Sequence, residues 1–185
     1  MLLHLVRHGR PLIQPGLPAS TWPLDESANI EETRQLRSTL KDRARTAAWY
    51  SSDEPKAVAT AHLLTADQVQ EWPTLREAHR FDWFATHEEF RAAILEAFSQ
   101  PSRSARPGWE PLDDTRRRIS DAVGQIVDEN VDDVVLVGHG TAWTLLISEL
   151  TNTEPDLTAW TKLRTPDLCT LDLDTRTVSH RWGEF

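Results

Sequence analysis

Leu2-Leu3-His4-Leu5-Val6-Arg7-His8-Gly9-Arg10-Pro11 is the stretch on which the reading of this chain turns. Leu2, Leu3, Leu5 and Val6 make an apolar run around His4, too short for a helix and suited to a buried strand. Gly9 permits a sharp turn just after His8, and Pro11 forbids a simple continuation of the strand. Arg7 and His8 are thereby expected at the C-terminal end of a buried strand, where open α/β sheets bind ligands. Arginine carries a fixed charge on a planar fork that suits phosphate oxygens. Histidine can act at neutral pH as nucleophile or proton carrier.

A second run of the same kind lies far down the chain. Val134-Val135-Leu136-Val137 is continuously apolar, and Gly138-His139-Gly140 follows it directly. Thr141-Ala142-Trp143-Thr144-Leu145-Leu146-Ile147 then reads as an apolar helix. Two buried strands that each end in a histidine beside glycine are expected to share one site.

Between and after them, strand and helix patterns alternate. Gln14 to Pro23 is rich in Pro and Gly and reads as a loop over the strand end. Helices are expected over about residues 27–40, after Pro55, over about 87–98 and over 112–127; further strands are expected at 47–51 and 69–72. Ser51 to Glu54 offer an N-cap to the helix that opens at Pro55, with Lys56 in its first turn. Residues 99–108 form the strongest loop signal. Past Leu150 a polar loop leads to two alternating runs, 168–173 and 178–182, expected as a terminal hairpin or two edge strands. The pattern predicts one α/β domain over residues 1–185, a three-layer α/β/α arrangement with a mostly parallel sheet covered on both faces.

Composition narrows the function. The chain has 185 residues and a formal charge of −9, which disfavours nucleic acid as a partner while leaving room for a local cationic pocket. A single cysteine, Cys169, excludes an internal disulfide and fits a reducing compartment. No stretch approaches the ~20 apolar residues of a membrane span. With no secretory signal at the N-terminus, a cytoplasmic protein is expected.

Four segments in order resemble the histidine phosphatase superfamily, the phosphoglycerate-mutase-like fold. They are Leu5-Val6-Arg7-His8-Gly9; Tyr50-Ser51-Ser52 through Lys56-Ala57-Val58-Ala59-Thr60-Ala61; Leu75-Arg76-Glu77; and Gly138-His139-Gly140. The resemblance implies a phosphomonoester hydrolase that works through a phosphohistidine on His8. It also implies that Arg7 and His139 clamp the phosphoryl oxygens, while Glu77 protonates the leaving oxygen and then activates water. A proton-donating Glu77 calls for a raised carboxyl pKa, and an effective His139 for a protonated or hydrogen-bond-donating ring. No metal or other cofactor is implied, and the partner is a small phosphorylated substrate.

The chain departs from that pattern in places. Lys56 stands where the family has arginine, so the charge is kept but the bidentate fork is lost. Gln14 is a candidate for the family's loop amide near the phosphate, and Gly140 for a phosphate-binding position beside His139. Phe81 and Trp83-Phe84-Ala85 replace the family's glycine and Trp-Glu-Gly, so the rim is remodelled. The short chain favours a hydrolase over a phosphoglycerate mutase. Lys56 keeps a weakly active or non-catalytic phosphate-binding protein as an alternative.

Remaining residues are assigned more plainly. His4 shares strand parity with His8, but two residues do not make a metal site, and His62, His79, His87 and His180 lack ligand spacing. Trp22, Trp83 and Trp109 are candidate pocket walls. Arg10, Arg76, Arg80, Arg103 and Arg106 are candidates for recognising further anionic groups on a substrate, though most are expected to be solvated. The substrate is expected to depend on loops 10–26, 79–90 and 99–110. Oligomeric state is not legible.

Overall fold

The strand that opens the chain, β1 (Leu2–Arg7), runs through the middle of the sheet, and its residues 3–6 are fully buried. The computed structural model describes residues 1–184 apart from Glu26, Asn29 and Trp83. In chain order the elements are β1, α1 (Ile30–Arg43), β2 (Ala48–Ser51), α2 (Pro55–Leu64), β3 (Val69–Glu71), α3 (His87–Ser99), α4 (Leu112–Asp128), β4 (Val134–Gly138), α5 (Gly140–Thr151), α6 (Leu157–Lys162), β5 (Asp167–Asp172) and β6 (Thr177–His180). Short 3-10 turns sit at Ala19–Thr21 and Pro73–Leu75.

The sheet order is β3-β2-β4-β1-β5-β6. The β3–β2, β2–β4 and β4–β1 pairs are parallel, whereas β5 runs antiparallel to both β1 and β6. The expected mostly parallel sheet is therefore present, with the hairpin appended at one side. β5 is not an edge strand, because it pairs along the whole of β1; only β6 ends the sheet there.

Alternation along each strand sends side chains to two separate cores. Leu3, Leu5, Tyr50, Val134 and Leu136 pack against Ile119, Val123 and Ile126 of α4 and Trp143 and Leu146 of α5. On the other face Val6, Trp49, Val135 and Val137 pack against Leu36 and Leu40 of α1 and Ala57, Ala61 and Leu64 of α2. Trp143 is fully buried, and its indole N–H donates to the Val6 carbonyl at 2.8 Å. α3 joins neither layer. Its Ala93, Ile94 and Ala97 gather with Ala78, Trp109, Leu112 and Leu145 in two smaller apolar clusters.

Some local expectations shift for identifiable reasons. α1 begins at Ile30 and runs to Arg43, with Glu31 and Glu32 in its first turn and Lys41 and Arg43 in its last, matching the helix dipole. α2 receives no side-chain cap. Glu54 takes the N-cap position with Pro55 behind it, and the Ser52 hydroxyl accepts the Glu54 amide at 3.2 Å. α6 was not anticipated, since six residues are too few for a period to show; Asp156 caps it through the Ala159 amide at 2.8 Å. Among the described residues no helix is long and apolar enough to cross a membrane.

His4 is completely buried in β1, and its Nδ1 lies 2.9 Å from the Thr170 hydroxyl of β5. Burial, reinforced by nearby Arg43 and His180, pushes its pKa down to about 4 against the pull of Asp133. The unfolded chain thus binds this proton first. The contribution to stability is complete above pH ~6.5 and is lost as pH falls towards 4. Chemical denaturation at pH 7 and pH 5 checks this: His4→Gln should remove about 2 kcal/mol of the wild type's loss between those pH values.

Candidate active site

Strand register brings the site together. Arg7 of β1 lies opposite Gly138 of β4, and Val137 of β4 opposite Ser51 of β2, so these three strands end level. The residues that follow them are His8, His139 and Ser52. The His8 amide donates to the Gly138 carbonyl and the Ser52 amide to the Val137 carbonyl, both at 2.9 Å. The two histidine rings meet edge to face, with centroids 5.2 Å apart.

His8 is held in one tautomer. Its Nδ1 lies 2.7 Å from the Gly9 carbonyl oxygen, which can only accept, so Nδ1 carries the proton and Nε2 the lone pair. Burial pushes the His8 pKa well down, helped by His139, Lys56 and Arg7 and opposed by the Gly9 bond. The ring is neutral at pH 7. Gly9 gives the turn space rather than an unusual backbone angle: a Cβ would stand 2.7 Å from a Leu24 methyl, which would have to shift. Its amide donates to the Thr60 hydroxyl at 2.9 Å, tying the turn to α2.

Arg7 is anchored through one end of its fork. Nη1 donates to the carbonyls of Leu163 at 2.9 Å and Arg164 at 3.2 Å. The buried Nε has no protein partner, and it lies 3.4 Å from where a Cβ on Gly140 would be. A Cβ at position 140 would be in ordinary contact with this guanidinium and would press closer, to 3.0 Å, on a Leu163 methyl. Burial lowers the Arg7 pKa against the opposing charges of Glu77 and Asp167.

Lys56 is not surface charge: it is 4% exposed. Its Nζ donates to the Ala19 carbonyl at 2.8 Å and is ion-paired with Glu54, which is just as buried. Burial lowers the lysine pKa and Glu54 pulls it back up. The other Glu54 oxygen accepts the Glu77 amide at 3.1 Å and lies 3.5 Å from Nε2 of His139. That nitrogen is also 2.9 Å from the Ser52 hydroxyl. Burial, then Lys56, holds the His139 pKa well below the usual range in spite of Glu77. In the free protein His139 is a neutral hydrogen-bonding ring, not an imidazolium.

Glu77 sits at the N-terminus of α5. One carboxylate oxygen accepts the Ala78 and Ala142 amides at 2.9 Å, and the other accepts the Thr141 amide at 3.1 Å. Arg80 approaches the second oxygen to 3.7 Å. Burial alone would raise this carboxyl's pKa, but Arg80 and the amide bonds outweigh it and leave the pKa below normal. The upward tuning expected of a proton donor is therefore absent in the free protein. Arg118 fixes the segment from behind. It forks onto Glu110 at 3.0 and 2.8 Å and donates to the carbonyls of Thr74, Arg76 and Glu77.

Arg7, His8, Lys56, Glu77, His139 and Gly140 all line one cleft of about 1230 Å³. Gln14 does not line it; its carbonyl instead accepts the Leu17 amide and the Trp22 indole, both at 3.1 Å. Trp22 and Trp109 line the cleft, while Trp83 lies outside the described residues. Sequence reasoning missed Glu54, Arg80 and Arg118. Arg80 was expected in solvent, yet its side chain is only 13% exposed and its guanidinium lies 5.1 Å over the Phe90 ring. The one available signal was Glu54 standing two residues before Lys56.

The family model for the histidine phosphatase superfamily (branch 1) matches residues 3–183, and the chain belongs to that family. No curated protein matched it. Similar solved structures include YhfR of Bacillus stearothermophilus, 24% identical over 99% of this chain and 96% of that one, with a TM-score of 0.75. A mycobacterial glucosyl-3-phosphoglycerate phosphatase is 24% identical over 92% of each chain, with a TM-score of 0.72. A phosphoserine phosphatase of Entamoeba histolytica is 16% identical over 99% and 97%, with a TM-score of 0.75. At these identities the likeness concerns the fold.

Replacing Glu54 by glutamine keeps an acceptor for the Glu77 amide but leaves Lys56 buried without a countercharge. Breaking a buried pair from one side should cost about 3 kcal/mol of stability. Inorganic phosphate should restore part of it by supplying the missing negative charge. Thermal unfolding of wild type and Glu54→Gln, with and without phosphate, measures both effects.

Proposed function

We propose that this protein is a phosphomonoester hydrolase whose covalent intermediate is a phosphohistidine on His8. The observation that carries the reading is the neutral His8 ring, its Nδ1–H given to the Gly9 carbonyl and its Nε2 lone pair left for attack on phosphorus. Arg7, Lys56 and His139 surround it as the phosphate clamp, with Gly140 beside them in the cleft lining. Arg7 and Lys56 supply the positive charge that phosphoryl transfer requires and His139 a hydrogen bond, so the reading needs no metal ion.

Glu77 is the proton carrier, and its depressed pKa sets how it works. Because the carboxyl starts ionised, the proton for the leaving oxygen arrives with the substrate, as the phosphate monoanion. Glu77 takes that proton from the phosphoryl oxygen and gives it to the leaving alkoxide as the P–O bond breaks and the His8 Nε2–P bond forms. In the second half it takes a proton from water, whose oxygen attacks phosphorus and releases neutral His8, and it passes that proton to the departing phosphate, which restores the carboxylate. Arg118 and Glu110 act as positioning residues, through the backbone that carries Glu77.

The second reading is a phosphate-binding protein with little or no turnover. It is favoured by one observation, the ion pair that already engages Lys56. A phosphoglycerate mutase activity is the remaining alternative within the fold, and dependence on a bisphosphorylated primer would reveal it.

Turnover of para-nitrophenyl phosphate, with and without chelator, is the test. His8→Ala should abolish it, and Glu77→Gln should lower kcat by about 100-fold or more. The wild-type rate should hold through mildly acidic pH, since His8 stays neutral there. It should decline above pH ~6 as the phosphate monoanion is lost. A wild type that binds phosphate but turns over no ester would favour the binding-protein reading.

A further inference from the structure

Beyond the phosphate clamp the cleft changes character. Phe84, Phe90, Trp109 and Trp160 line it and touch in series, with ring centroids 5.7, 6.0 and 6.4 Å apart for the Phe84–Phe90, Phe84–Trp109 and Phe90–Trp160 pairs. They come from the loop before α3, from α3 itself, from the loop before α4 and from α6. Leu12, Ile13 and Trp22, from the loop after β1, provide a separate apolar part of the lining. Leu12 and Ile13 are 49% and 53% exposed, although both border a concave site. Apolar side chains left open in a cleft mark a surface that a ligand covers.

The charges along the same cleft point the same way. Arg10 is paired with Asp25 at 3.2 Å, Arg76 with Asp53, and Arg118 with Glu110. The Asp82 carboxylate accepts the Trp109 indole N–H at 2.8 Å. Each of these three arginines already holds a carboxylate, and Arg80, 3.7 Å from Glu77 with a buried Nη1 that has no partner, stands beside the clamp and over the Phe90 ring, so a second anionic group would find a free donor only next to the clamp itself. A single phosphoryl group, by contrast, finds a prepared clamp.

We propose that the cleft is built for a phosphomonoester whose alcohol half is bulky, uncharged and apolar, an aromatic or branched aliphatic body that rests on these two stretches of lining. The proposal rests on the phosphatase reading and adds the class of leaving group. It places specificity in residues 12–22, 84–90, 109 and 160, at a distance from the reacting atoms. Contact with this lining orients the ester while the phosphoryl group is held at His8.

The experiment compares kcat/KM for phenyl phosphate, 2-naphthyl phosphate and O-phosphoserine. The two aryl esters differ mainly in the size of a similar leaving phenol. The expected result is a preference of roughly 10-fold or more for naphthyl over phenyl, with phosphoserine slowest. The double variant Leu12→Ser/Ile13→Ser, confined to exposed positions, should bring the naphthyl-to-phenyl ratio towards one. Equal turnover of both aryl esters, or a preference for phosphoserine, would overturn the proposal and leave the phosphatase reading intact. Turnover of none would defeat the phosphatase reading, and calorimetric titration of the same three esters into the wild type would then decide the cleft. Tighter binding of the naphthyl ester would uphold the apolar assignment, and equal or tighter binding of phosphoserine would remove it.

Discussion

The parallel pairing of β1 with β4, and of β4 with β2, is the constraint from which the site follows. Its register sets Arg7 against Gly138 and Ser51 against Val137, so the chain leaves three neighbouring strands at one level. His8, His139 and Ser52 then have no freedom to be elsewhere. A slip of one residue in either pairing would send every core side chain of that strand to the opposite face, exchanging the α1–α2 core for the α4–α5 core. Hydrophobic sorting between the two layers thus holds the histidines together.

Within that frame the site concentrates charge under cover. Arg7, Lys56 and Arg80 share a small volume with Glu54 and Glu77, and the two histidines stay neutral because burial and neighbouring cations oppose their protonation. A cluster of unpaired cations would be costly to bury, and Glu54 offsets that cost at Lys56. It also binds the Glu77 amide and reaches His139, so one carboxylate joins three functional positions.

Glu77 shows how secondary structure tunes such a group. Amides at the start of α5 and the amide of Ala78 hold it as an anion. Arg118, from α4, fixes the preceding backbone through the carbonyls of Thr74, Arg76 and Glu77. Glu77 is therefore located by two helices on one side of the sheet, and His8 by the sheet itself. The aromatic lining of the cleft comes from neither, being carried by α3, α6 and loops.

Legibility in the sequence followed the range of the interaction. The apolar runs at 2–6 and 134–137, each closed by a glycine-flanked histidine, are local patterns, and by themselves they determined the α/β class, the strand–histidine junctions and the pairing of His8 with His139. The spacing after Pro55 placed Lys56 in a first helical turn, and Leu75-Arg76-Glu77 marked the acid. Tertiary structure alone decided that Lys56 is buried against Glu54, that Arg80 stands beside Glu77 and Phe90, that Arg118 braces the backbone of Glu77, and that Gln14 stays out of the cleft lining. It also decided that Glu77 is an anion and that β5 is interior to the sheet. The physical reason is that periodicity reports which face of an element is apolar, whereas the charge state of a buried side chain depends on through-space partners tens of residues away.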